Sequence, residues 1–172
     1  MTRWTFEGNP REQAAYGLIR AVFGLGESDL LPTGKGALSD KVIEDPLESP
    51  PDFFAPKPGL WFEVTGSAYT VEESASACLA RFGLEGPHIF VRKGKADAFE
   101  RQGIADRVIF VHIAEREGDV RFVPLRYLLR RAWEVDGFER CGKDRYYALP
   151  WMSGKKPHQL YEAEAVRMRR CW

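Results

Sequence analysis

The sequence predicts an α/β fold, a mixed central sheet flanked by helices, and three observations predict it. Helical and strand-like patterns alternate along the chain, as they do in proteins built from strand–helix–strand units. Residues 106–113 form the strongest strand pattern, with aromatic and β-branched residues in its apolar part. Ahead of them, a Pro58-Gly59 turn divides residues 51–67 into two arms of a hairpin, so the sheet starts antiparallel. A chain of 172 residues is long enough for a single domain with one real core, residues 1–172.

Asn9 as N-cap, Pro10 in the first turn and Glu12 three residues after the cap open the first helix. Ala14, Ala15, Leu18, Ile19, Val22 and Leu25 keep helical spacing, and Gly24 or Gly26 ends it. Residues 27–51 are rich in Gly, Pro, Ser and acids; they read as a long functional loop or a poorly marked first strand. Thr33-Gly34-Lys35-Gly36 is not a phosphate loop: Gly follows the Lys, and no apolar strand leads in.

Leu60, Trp61, Phe62 and Val64 read as a buried strand interrupted by Glu63. Thr70-Val71-Glu72-Glu73 is a capping box, followed by Ala75, Cys78, Leu79 and Phe82 as a buried face and Gly83 as a stop. Residues 87–92 read as a buried strand leading into Lys93-Gly94-Lys95, then a short helix over residues 96–102. A turn at residues 117–119 leads to a strand over 120–123. Pro124 starts a helix with Leu125, Leu128, Leu129 and Trp133 on one side. Residues 145–151 make a strand and 161–170 a closing helix.

Composition bounds the function. With 44% hydrophobic and 29% charged residues the chain is globular, not disordered. It has no apolar run of about eighteen residues, which predicts no membrane span. Residues 1–7 lack an apolar signal core, so a cytoplasmic location is expected. Cys78, Cys141 and Cys171 have no paired-ligand spacing and read as reduced thiols. A single Asn and three Gln suit a thermophile, or a biased genome. Net charge is zero, but residues 1–120 carry 13 basic and 19 acidic side chains and residues 121–172 carry 12 and 6. An acidic part that can hold a metal is thus joined to a basic part that can hold phosphate; equally, the two parts can attract each other or dimerise head to tail.

The hairpin brings Asp52 and Glu63 towards each other. Two facing carboxylates repel unless a cation lies between them, and an oxygen-lined Mg²⁺ site is the common remedy. Pro51-Asp52, then an acid eleven positions on in an apolar strand, resembles the PD-(D/E)xK nuclease superfamily over residues 9–124. The departure is Thr65, which stands where that motif has Lys.

The resemblance implies a restriction-endonuclease-like or junction-resolvase-like core over 9–124, with residues 125–172 as a basic extension. It implies Mg²⁺ (or Mn²⁺) held by Asp52, Glu63 and the Val64 carbonyl, with Glu12 as a further acid from the first helix. It also implies DNA, with RNA as the alternative, for a substrate, and a homodimer. Thr65 can only hydrogen-bond the attacking water. The missing cation must come from elsewhere, and Lys95, then Lys93, are the candidates, since they follow a strand expected beside Glu63.

Arg126, Arg130, Arg131, Lys155, Lys156, Arg167, Arg169 and Arg170 can contact phosphate backbone, and Tyr146, Tyr147 and Trp151 can stack on bases if exposed. His112 reads as a hydrogen-bonded core histidine. Three readings stand: a Mg²⁺-dependent DNA endonuclease with backbone or structure recognition; a catalytically inactive nuclease fold that binds nucleic acid or a protein partner; and an unrelated α/β domain in which Glu63 pairs with an Arg.

Overall fold

The structure, a computed structural model, describes residues 10–33, 50–67, 70–136 and 145–162. The Asn9 cap, residues 34–49, and Arg167, Arg169 and Arg170 therefore lie outside the described residues. Helix α1 (Pro10–Phe23) buries Ala15, Ile19 and Val22 of the expected positions, with Leu18 and Leu25 half-buried and Ala14 exposed. Strands β1 (Leu31–Pro32), β2 (Phe53–Ala55), β3 (Leu60–Ser67), β5 (Val108–Ala114) and β6 (Asp119–Pro124) form a five-stranded sheet in the order β1-β2-β3-β5-β6. The β3–β5 pairing is parallel and the others antiparallel, so the sheet is mixed. The poorly marked first strand is thus a two-residue one at the sheet edge.

Between β3 and β5 the chain passes through α2 (Val71–Phe82), β4 (His88–Arg92) and α3 (Lys93–Arg101). Strand β4 does not join the first sheet. It pairs antiparallel with β8 (Arg145–Pro150), which also pairs with β7 (Trp133–Asp136). The expected mixed central sheet is present, and beside it lies this second sheet, in the order β4-β8-β7, whose central strand β8 comes from the residues beyond 124. Trp133 corrects an expectation: α4 (Leu125–Arg131) ends before it, and Trp133 opens β7 with half its surface exposed. Among the described residues the last α-helix is α5 (Pro157–Glu162); residues 163–170 of the expected closing helix lie outside them.

Side-chain alternation along the strands divides the core in two. Phe62, Ile109, Val111, Ile113 and Phe122 face α1 and α5, where they meet Ile19, Val22 and Leu160. Val108, Phe110, Ala114 and Val123 face the other way, against Phe99 of α3, Leu125 and Leu128 of α4, and Ile89, Val91 and Leu149 of the second sheet. Strand β5 is covered on both faces, and each of its residues is buried, which explains its nearly unbroken apolar sequence.

The capping box of α2 is formed as the sequence predicts. Thr70 Oγ1 accepts from the Glu73 N–H at 3.1 Å, and Glu73 Oε2 accepts from the Thr70 N–H at 2.8 Å. The buried face of that helix is not. Cys78 alone is buried, and Leu79 is 58% exposed, because little is packed beneath the helix.

Candidate active site

The hairpin register sets the two acids opposite each other. Phe53 pairs with Phe62 across β2 and β3, so Asp52, one residue before, falls beside Glu63. The Val64 N–H donates to Asp52 Oδ2 at 2.8 Å, which fixes the Asp52 carboxylate against β3. Glu63 is only 3% exposed, and it lies on the sheet face that Thr65, Phe110 and His112 share.

Lys95 Nζ donates to Glu63 Oε1. The cation missing at position 65 thus reaches the acid from α3, a separate element. Glu63 Oε2, also buried, has no hydrogen-bond partner. Burial, then the nearby Asp52 charge, pushes the Glu63 carboxyl up to about 8. The Asp52 carboxyl is raised by burial as well, against the opposing pull of Lys95. Burial works against the charge on Lys95, but Glu63 and Asp52 outweigh it and hold that ammonium above its ordinary value. Glu12, in the first turn of α1, is near enough for its charge to raise Glu63 further.

Lys93 goes elsewhere. On a helix, residues two apart point about 200° from each other, so Lys93 leaves α3 on the side away from Lys95. Its Nζ donates to Tyr147 Oη at 2.8 Å and lies 3.0 Å from Asp97 Oδ2 and 3.2 Å from Glu134 Oε1. Tyr147 Oη in turn donates to Asp97 Oδ1 at 2.8 Å. One face of α3 is thereby pinned to β7 and β8, and the opposite face presents Lys95 to Glu63. Tyr147→Phe removes the hydroxyl shared by Lys93 and Asp97. It is expected to cost about 1 kcal/mol of stability, read as a lowered urea midpoint; a midpoint unchanged from wild type rejects this anchoring role.

The predicted basic residues do not gather here. Arg126 is engaged by Asp106 at 2.7 Å and Glu100 at 3.1 Å. Arg130 and Arg131 are exposed on α4, Lys155 is exposed and Lys156 half-buried. None of the five lines the cleft that contains Glu63 and Lys95. Arg11, Arg81 and Arg92 do line it, and the sequence singled out none of them. Arg92, adjoining Lys93-Gly94-Lys95, carried the one signal that pointed there. Arg11 reaches the cleft by crossing Gly66, where a Cβ would stand 2.9 Å from its Nε and 2.6 Å from the Ile113 carbonyl oxygen.

His112 is buried as expected, but its Nδ1 has no hydrogen-bond partner. The ring packs edge-on to Trp151, centroids 5.3 Å apart. Burial, with Arg11 nearby, pushes its imidazole down to about 4.

The donor set fits a hard divalent cation. A buried carboxylate oxygen without a partner, a second carboxylate beside it and a third acid within electrostatic reach are oxygen donors with excess negative charge. Among the described residues no three acid, His or Cys side chains could hold an ion by themselves. Mg²⁺ suits such a site because it keeps several waters and takes one or two carboxylates plus substrate phosphate.

Comparison with known proteins agrees with this architecture. A family model described as "Viral/Archaeal nuclease" matches residues 52–160, a span that contains Asp52, Glu63 and Lys95. A solved structure, that of D212, a nuclease from a fusselovirus, matches with a TM-score of 0.53 over 92% of this chain and 91% of that chain, at 20% identity. The two share a fold. No curated protein matches the sequence.

Proposed function

The chain belongs to the viral/archaeal nuclease family, and from that premise we propose that it is a Mg²⁺-dependent DNA endonuclease worked by Asp52, Glu63 and Lys95. The observation that carries this reading is the buried Asp52–Glu63 pair, bonded on one side by Lys95 and left with one unpartnered oxygen. Asp52 and Glu63 would hold the ion, Mg²⁺ or Mn²⁺, with the Val64 carbonyl and Glu12 as further oxygens. When bound, the ion would activate a water and neutralise charge on the phosphate.

The chain's own residues do the rest. Lys95 supplies a positive charge beside the buried Glu63, placed to act on charge developing at a phosphoryl oxygen. Its ion pair also orients Glu63. Thr65, on the same strand face, can hydrogen-bond a water but carries no charge. Lys95 speaks against the inactive alternative, whose ground was the absence of a motif Lys. The PD-(D/E)xK resemblance supports a homodimer, in which paired sites cut two strands.

Asp52→Asn keeps the size of the side chain and removes the charge. Cleavage of plasmid and branched DNA with Mg²⁺ or Mn²⁺ is expected to fall on the order of 10³-fold in this variant. Activity that survives the substitution, or a wild-type protein that cuts with neither ion, sinks the reading.

A further inference from the structure

A cleft of about 1010 Å³ opens between α2 and the strands β3, β4 and β5, and Glu63, Thr65, Lys95 and His112 all line it. Thr65 and His112 are register partners in the parallel β3–β5 pair. Their side chains therefore stand next to each other on one sheet face, on strands about 4.8 Å apart. Glu63 precedes Thr65 by two residues on β3 and shares that face. Acid, hydroxyl and imidazole thus follow one another along a single polar strip.

Buried polar atoms are almost always hydrogen-bonded, to protein or to ordered water. Among the described residues three buried side-chain atoms have no protein partner, Glu63 Oε2, His112 Nδ1 and Gln102 Oε1. The first two belong to the two ends of this strip, whereas Gln102 does not line the cleft. His112 is only 3% exposed, and its ring is held by a network that leaves Nδ1 unused. Trp151 packs edge-on to the imidazole, and Trp151 Nε1 donates to Asp119 Oδ2 at 3.0 Å. Arg121, itself buried, donates to the same oxygen at 3.0 Å and lies 5.4 Å from the Trp151 ring centre. Side chains locked by such a network are what a preorganised site requires. Burial keeps the imidazole neutral at pH 7, so one ring nitrogen has a lone pair that can accept a hydrogen bond.

We propose that His112 and Thr65 together hold the water that attacks the phosphate. One hydrogen of this water goes to His112 Nδ1 and the other to Thr65 Oγ1, which leaves its lone pairs to face a phosphate bound at Glu63. What the water attacks rests on the nuclease reading; that the two side chains share it does not.

The test is long-range proton–nitrogen NMR of the metal-free protein at pH 7, in which His88, His112 and His158 are the reporting imidazoles. His112→Asn identifies the His112 signals by their loss. His88 supplies a contrast, because its Nδ1 lies 2.9 Å from the Gly86 carbonyl oxygen and donates to it. His112 Nδ1 is expected to be the unprotonated nitrogen, and to move downfield in Thr65→Val, which deletes the hydroxyl at nearly constant shape. A His112 Nδ1 that carries the proton, or one unmoved by Thr65→Val, overturns the proposal.

Kinetics on DNA with Mg²⁺ give the second arm. Thr65→Val and His112→Leu are each expected to lower kcat on the order of 10²-fold with KM unchanged, and the double variant to lose no more than the larger single loss. His112→Asn, whose amide can put an oxygen near the place of Nδ1, should recover most of the rate. Losses that multiply in the double variant, or a change in KM alone, mark a histidine that only fills the core and also overturn the proposal. A wild type that cuts with neither Mg²⁺ nor Mn²⁺ removes the nuclease reading, and the NMR shift then decides the shared water by itself.

Discussion

Lys95→Met is expected to reduce cleavage on the order of 10²- to 10³-fold, the loss that follows removal of one preorganised charge from a catalytic site. The variant keeps the apolar stem of the side chain and deletes only the ammonium that donates to Glu63 Oε1. Lys95→Arg should recover little, since a guanidinium is larger, planar and differently hydrated. Lys93→Met separates this effect from a general weakening of α3: Lys93 bonds Tyr147, Asp97 and Glu134 and does not touch Glu63. If Lys95→Met cuts at the wild-type rate, or Lys93→Met loses as much activity as Lys95→Met, then Lys95 is not the replacement for the motif Lys.

Glu63→Gln is expected to abolish cleavage and, in metal-free buffer at pH 8, to stabilise the fold. The sign follows from where the proton resides. Glu63 titrates near 4.5 when unfolded and about 8 when folded, so between these values the native state binds the extra proton. Its contribution is fully present below pH 4.5 and is lost as pH rises through 8. His112 acts oppositely: it falls from 6.5 to about 4, so its contribution is present above 6.5 and lost as pH falls through 4. The two offset each other between pH 4.5 and 6.5. Above 6.5 the Glu63 loss is no longer offset, and the raised Asp52 carboxyl adds to it in the same direction.

Chemical denaturation of the metal-free wild type should therefore show stability declining from pH 6.5 to 8, and Glu63→Gln should flatten that decline. Mg²⁺ or Mn²⁺ should raise wild-type stability more at pH 8 than at pH 6.5, and should leave Glu63→Gln unmoved, because a bound cation takes the place of the proton. A wild type whose stability is level across this window, or a variant that responds to the ion as wild type does, contradicts this account of the acid pair.

Much of the candidate site can be read from local sequence. The Asp52–Glu63 approach follows from a Pro-Gly turn and the two-residue period of strands, both short-range properties. The α1 pattern and the Thr70–Glu73 capping box are local in the same way, and the structure contains both. Lys93 and Lys95 show where local reading ends. On a strand end, residues two apart share a face; on a helix they oppose each other, and α3 begins at Lys93 instead of Ala96. That shift of a few residues separates the lysine bonded to Glu63 from the one that anchors the helix.

What the sequence determined by itself was whatever depends on neighbours along the chain: the mixed α/β class, the hairpin and the acids facing across it. Tertiary structure alone decided that β4 leaves the first sheet for β8, that Lys95 meets Glu63 from another element, that Arg126 is held by Asp106 and Glu100, and that α2 stands above an open cleft. Each of those outcomes joins residues twenty or more positions apart. They depend on how whole elements compete to cover apolar surface and pair charge, and no periodicity within a single segment encodes that competition.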